Sequence, residues 1–193
     1  MNSREKILAA ITANKPALIN LPVIELQQVT TYDDLVTKFT ATLESIGGRV
    51  FELQDMSILE IDINNELHGG LLIVNAMHAD AAKLNSSQLA TDLEPVHKAY
   101  LKASIGVAEN GAVWIKESQM INSLLPFICQ HLVIVLQKEK LVATMHHAYQ
   151  QINVFEEGFG VFIAGPSKTA DIEQSLVIGA HGARSMTVYL LNK

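Results

Sequence analysis

Between His131 and Gln137 the chain reads Leu132-Val133-Ile134-Val135-Leu136, an unbroken aliphatic run the length of one strand. Successive side chains of a strand point to opposite faces, so a run without a polar residue must be covered on both. A largely parallel sheet with helices on its two faces supplies that cover. Further strand-sized pieces fit the same plan: Arg49–Leu53, Gly70–Ala76, Gly160–Ala164 and Met186–Leu191. Helical stripes lie between them. Asn2 to Asn14 offers Asn2 as a cap, Glu5 three residues on, and Ile7, Leu8 and Ile11 on one face. A second helix is expected from about Thr31, with Asp33 and Asp34 in its first turn, an apolar stripe Leu35, Val36, Phe39, Leu43 and Ile46, and a stop at Gly47-Gly48. A third is expected from about Glu139 to Gln151. Pro16 and Pro22 enforce an extended connector, and residues 79–104 follow no clear period. Val107 to Lys116 reads as strand, turn, strand, with Asn110-Gly111 supplying residues that tolerate positive φ. No internal repeat or long linker interrupts the pattern, so one α/β domain is expected.

Composition excludes several classes of function. The formal charge of −6 opposes nucleic acid, which needs a basic face to release counterions. The aliphatic runs fall far below the ~20 residues that span a bilayer, so no membrane segment is expected. Met1-Asn2-Ser3-Arg4-Glu5-Lys6 has no apolar region of a secretory signal. Cys129 is the single cysteine. One thiol makes no internal disulfide and cannot supply the thiolates of an iron–sulfur site, so this chain is expected to bind no cluster. The expectation is a reduced, cytoplasmic protein.

The chemistry concentrates in Gly165-Pro166-Ser167-Lys168-Thr169-Ala170-Asp171-Ile172-Glu173, followed by Gly179-Ala180-His181-Gly182. A polar, glycine-rich connection leaving a buried strand is where open α/β sheets place ligands. Ser167 and Thr169 are expected to cap a short helix whose first amides, with Lys168, attract an anion. Asp171 and Glu173 oppose an anion unless protonated, hydrogen-bonded or bridged, and the plainer alternative is a capped helix with acids complementing its dipole. His181 is placed either as a general base near neutral pH or as a structural turn residue. Glu109, in Ala108-Glu109-Asn110-Gly111, either projects into a cleft or is a solvated hairpin residue. His146 and His147 are adjacent and point to different faces of a helix, so no metal site is expected. The candidate catalytic residues are Glu109, His181 and Asp171. The candidate ligand contacts are Gly111, Gly165, Ser167, Lys168, Thr169, Glu173, Gly179 and Gly182. These groups are expected to converge on one cleft at the carboxyl ends of the strands. No G-x-G-x-x-G fingerprint follows any strand.

Those three segments together resemble the LUD domain of lactate-utilisation proteins, the family of the C subunit of the lactate-utilisation operon. The likeness is strongest in the carboxy-terminal half, and Leu125-Pro126 with His131-Leu132-Val133-Ile134-Val135 adds to it. Ala183 stands where many members have proline after the histidine–glycine pair, and Asn110 where many have a small hydroxyl residue. The resemblance implies one LUD-type domain over residues 1–193, with 1–48 a helical N-terminal segment and 49–193 the core sheet. It implies a Rossmann-like fold similar to the sugar-phosphate isomerases and coenzyme A transferases. It also implies an accessory role in oxidising L-lactate to pyruvate beside iron–sulfur partner subunits, with a small carboxylate, phosphate or coenzyme A ligand of unknown identity; a homo-oligomer is left open. Ala108-Glu109-Asn110-Gly111 is similar, too, to the glutamate motif of coenzyme A transferases, which implies the alternative of a small-molecule enzyme using Glu109 as a carboxylate nucleophile.

Overall fold

The computed structural model describes residues 2–17, 19–20, 22–78, 87–153, 155, 158–170, 176–178 and 182–192, with the backbone alone for 169–170 and 176–178. In chain order its elements are α1 (Ser3–Ala13), α2 (Leu35–Ser45), β1 (Arg49–Leu53), α3 (Ser57–Leu67), β2 (Leu72–Asn75), α4 (Ala90–Leu93), β3 (Val96–Lys102), β4 (Ile105–Val107) and β5 (Ala112–Lys116). There follow α5 (Leu125–Ile128), β6 (His131–Gln137), β7 (Leu141–Val142), α6 (Met145–Tyr149), β8 (Gly160–Ile163), β9 (Lys168–Ala170), β10 (Leu176–Ile178) and β11 (Ser185–Leu191).

The centre is a five-stranded sheet, β1-β11-β6-β3-β2, in which every pairing is parallel. β6 sits in the middle, and its two faces explain its aliphatic run. Leu132, Ile134 and Leu136 enter a cluster with Phe39 and Leu43 of α2, while Val133 and Val135 enter another with Leu59 and Ile63 of α3. Burial of each such side chain contributes ~1.5–3 kcal/mol, so neither face tolerates a polar group.

The two strands joined through α3, β1 and β2, lie on opposite edges. The helix therefore traverses the sheet. Its 11 residues span ~16 Å, close to the ~19 Å of four interstrand spacings. Leu59 and Ile63 are buried in one cluster with residues of all five strands, among them Leu53, Ile73, Tyr100, Val133 and Leu191. The opposite face carries α2, α4, α5 and a second, mixed sheet, β7-β4-β5-β8. Within it β4 and β5 form the expected antiparallel hairpin, turning at Gly111, whose φ is 69°.

Several local expectations are corrected. The second helix starts at Leu35, because the Asp34 carboxylate accepts from the Val36 and Thr37 amides and so occupies the cap itself. The capping box of α1 forms from Asn2 and Glu5, yet none of the helix is buried, and Ile7, Leu8 and Ile11 remain exposed. Residues 139–151 do not make one helix: Leu141 and Val142 leave to pair with Gly106 and Val107 of β4. The unpatterned 79–104 segment contains β3, a strand next to the sheet's centre. After Ser167 the chain enters an antiparallel pair, β9 with β10, where a helix was expected. Val177 and Ile178 are β-branched and suit the extended partner strand.

Candidate functional site

The two described halves of the glycine-rich signature meet. The Ser167 amide donates to the Ala183 carbonyl at 2.8 Å, and a side chain on Gly182 would lie 3.1 Å from the Ser167 Cβ. Gly165 has φ 72°, and a Cβ there would lie 3.1 Å from Ile46, just beyond α2. Gly111 repeats this arrangement: its missing Cβ would lie 3.0 Å from the Leu43 Cα. Both positions therefore demand glycine twice over, by backbone conformation and by close approach to α2. Lys168 begins β9 and is exposed, and Thr169 lies on the same strand. With residues 168–170 extended, no helix start presents amides at Ser167, so the expected dipole site for an anion is not formed there. The signature joins the amino end of β11, since Arg184 N donates to Gln130 O just ahead of β6. Asp171, Glu173, Gly179 and His181 lie outside the described residues.

Glu109 is engaged by another element. Its backbone N–H donates to Ala143 O at 3.0 Å, and its carboxylate accepts from the Met145 amide at 2.5 Å. It thereby caps the first turn of α6, satisfying an amide that the helix cannot pair. Asn110 Oδ1 accepts from the Ala112 amide at 3.0 Å and locks the turn. The carboxylate thus faces α6, whereas Gly111 and Gly165 pack on α2.

The carboxyl ends of the parallel strands hold a different set of residues. At Ala103-Ser104 the chain passes from the large sheet to the small one, held by Ala103 N to Val135 O at 3.0 Å and Ser104 N to Trp114 O at 2.9 Å. The divergence opens a cavity of about 490 Å3, at the edge where open parallel sheets bind ligands. Lys102, Lys116 and Lys140 line it together with Gln119, Trp114 and Phe159. Gln119 is fixed, its carbonyl accepting from Ser104 Oγ and the Lys116 amide, each at 3.0 Å. Trp114 packs on Phe162 at 4.7 Å between ring centres. Sequence reading missed this cavity because Lys102 ends a strand hidden in the unpatterned segment. The lysine or glutamine closing β3, β5 and β6 (Lys102, Lys116 and Gln137) was the signal available.

At the amino ends of the same strands, under α3, lies a cavity of about 540 Å3 bordered by Arg49, Asp62, Glu66, His97, Lys98 and His131. Its Glu66 carboxylate is paired. Glu66 accepts from Lys98 Nζ at 2.5 Å and from the Tyr100 hydroxyl at 2.7 Å. Burial raises the Glu66 carboxyl, but these two hydrogen bonds outweigh it and hold the group below its usual range. His131 Nδ1 lies 2.7 Å from Ser185 Oγ, and its ring meets His97 edge-on at 4.8 Å. Burial first, then the charges of His97 and Lys98, depress His131 below the ordinary imidazole value. Burial also pushes the Cys129 thiol up to about 12, so this sole cysteine is a protonated core residue, as its sequence context suggested.

Among the described residues no helix is long and apolar enough to cross a membrane. In fold, the chain is similar to the crystal structure of a DUF162 family protein from Deinococcus radiodurans, with a TM-score of 0.59 at 11 % identity, covering 82 % of this chain and 96 % of that one. In sequence it is 31 % identical over 124 residues to lactate utilization protein C of Bacillus pumilus, covering 61 % of this chain and 50 % of the relative. It is 25 % identical over 170 residues to lactate utilization protein C of Macrococcus caseolyticus, covering 84 % of this chain and 70 % of that relative. The chain thus matches about half the length of the Bacillus pumilus relative. The LUD domain family matches residues 9–191, nearly the whole chain, and the protein belongs to that family.

Proposed function

We propose that this chain is a cytoplasmic, ligand-binding accessory subunit of a system that oxidises L-lactate to pyruvate, working as one unit over residues 1–193. The observation that carries the reading is a preformed cavity, lined by lysines at the carboxyl ends of a parallel sheet, in a chain whose relatives are named for lactate utilisation. Oxidation of lactate releases two electrons and two protons, and a chain with one buried, protonated thiol has no cysteine set to hold a cluster. Iron–sulfur partner subunits would take those electrons. Glu109 favours the binding reading over covalent transfer chemistry, because its carboxylate is committed to the α6 cap.

Deleting the coding sequence should abolish growth on L-lactate and leave growth on glucose intact, with full-length protein supplied in trans restoring it. The purified chain should not reduce an artificial electron acceptor with lactate. Turnover by the colourless protein would overturn the accessory assignment.

A further inference from the structure

We infer that α1 is a dimerisation arm: its apolar stripe docks on the exposed face of α3 in a second copy of this chain, and the exchange is mutual. The inference goes beyond the binding role proposed above and does not depend on it.

The first argument is that α1 is uncovered. Its 11 residues form a helix with a capping box, yet every one of them is exposed. Isolated helices shorter than about 12–15 residues are marginal in water, and most helical stability in proteins comes from the packing of one face. Arg4, Ile7, Leu8 and Ile11 recur at spacings of three and four, so they share a face of α1. A helix this short, with an open aliphatic stripe, is completed by a surface outside its own fold.

The second is that α3 offers such a surface. Leu59 and Ile63 are buried against the sheet, whereas Ile58 and Ile61, one turn apart, are 64 % and 59 % exposed. α1 does not cover them in its own chain. Both helices have 11 residues and run ~16 Å, so the two stripes match in length.

Charge selects the occupant. α3 carries Glu60, Asp62 and Glu66 and no Lys or Arg. Glu60 and Asp62 are exposed and adjoin Ile61 in the chain, one toward each side of the stripe. His78 lies 4.0 Å from Glu60, with both side chains about half exposed, and offsets it weakly. α1 carries Arg4 within its stripe, and Lys6. Its one acid, Glu5, accepts from the Asn2 amide in the capping box. A stripe that holds a cation thus meets one flanked by carboxylates. The formal charge of −6 opposes the other candidate, an anionic lipid surface.

Exchange between two copies also closes. Each copy supplies one α1 and one α3, so a twofold dimer covers both pairs and leaves no stripe for a third chain. Residues 14–34 join α1 to α2 and span at most ~70 Å when extended, a tether long enough for the arm to leave its own body.

The chain's cysteine content makes the contact testable. Cys129 is buried and its thiol is pushed up to about 12, so an introduced, exposed cysteine reacts without interference. Full-length Ile11→Cys and Ile61→Cys proteins are prepared separately, mixed and mildly oxidised, and the wild type is followed by sedimentation across a concentration series. The wild type is expected to be a dimer that dissociates on dilution. The mixture is expected to form a disulfide-linked pair, and neither variant alone to do so. Ile7→Asp and Ile11→Asp should each weaken dimerisation about tenfold or more, the loss of one buried aliphatic side chain apiece, while circular dichroism shows the body folded. Arg4→Glu should weaken it less, as should added salt. A wild type that stays monomeric at its highest soluble concentration overturns the inference. So does a dimer unaltered in a folded Ile7→Asp/Ile11→Asp double variant. An intrachain disulfide in a monomeric Ile11→Cys/Ile61→Cys double variant also overturns it, putting α1 on its own α3. Binding of monomers to phosphatidylserine vesicles, lost in Ile7→Asp/Ile11→Asp, overturns it in favour of lipid.

Discussion

The parallel sheet has a cavity at each end, similar in volume and rich in charged side chains, yet the two are built on opposite principles. At the amino end the Glu66 carboxylate is held by Lys98 and Tyr100, and His131 by Ser185. At the carboxyl end lysines, side-chain amides and aromatic rings line the space. Internal compensation marks a network that fastens α3 to the sheet it crosses. Lysines around a preformed cavity at the carboxyl ends of parallel strands mark a candidate site.

The largest effect that tests this contrast is expected from Glu66→Ala. It leaves Lys98 and Tyr100 without their shared acceptor at the end of α3 and should lower stability by about 1–2 kcal/mol, a range reduced for partial exposure. Urea unfolding measures it. If the variant unfolds like the wild type but loses ligand binding, the two ends have been assigned the wrong way round.

Acid should reveal the same network without mutation. Glu66 is depressed in the folded state, so its contribution is complete above the ordinary carboxylate value of 4.5 and is lost as pH falls through its lower folded value. His131 is also depressed. The fold favours its neutral form, so stability declines as pH falls below the ordinary imidazole value of 6.5. Both signs agree: thermal midpoints should fall in two stages on acidification. The His131→Gln variant should lose the first stage, and an unchanged profile in that variant would remove His131 from the account.

The smallest effect belongs to the other end. Lys140→Ala should alter stability by less than about 0.5 kcal/mol, since its pair with Glu139 is exposed. A clear loss of stability would show that the lysine is structural and would weaken the contrast.

The sequence made legible those elements whose neighbours are local or uniformly apolar. β6 was visible because each of its faces meets a hydrophobic cluster, and the turn at Gly111 because only a few residues tolerate its φ. β3 was hidden because His97 and Lys98 interrupt its apolar run, and Lys98 is accommodated by Glu66, a residue far off in the chain. The expected helix after Lys138 failed for the same kind of reason: Leu141 and Val142 have a helical period, but pairing with β4 overrides it. Gly165 and Gly111 were expected as ligand contacts; both have positive φ and approach α2 closely. The cavity at the carboxyl ends was beyond local pattern. It is assembled from Lys102, Gln119 and Lys140, which share no motif and meet only through the register of two sheets.

The strand order has a consequence for how the chain is made. Among the described residues β1 at 49–53 pairs with β11 at 185–191 alone, with Arg49 opposite Thr187. As the chain leaves the ribosome, β1 emerges before its partner and must wait, its hydrogen-bonding edge unpaired, until β11 has been synthesised. Closing so long a loop is entropically unfavourable and slow. Completion of the sheet thus awaits β11, and a chain truncated before Ser185 would expose the flanks of both β1 and β6 to intermolecular pairing.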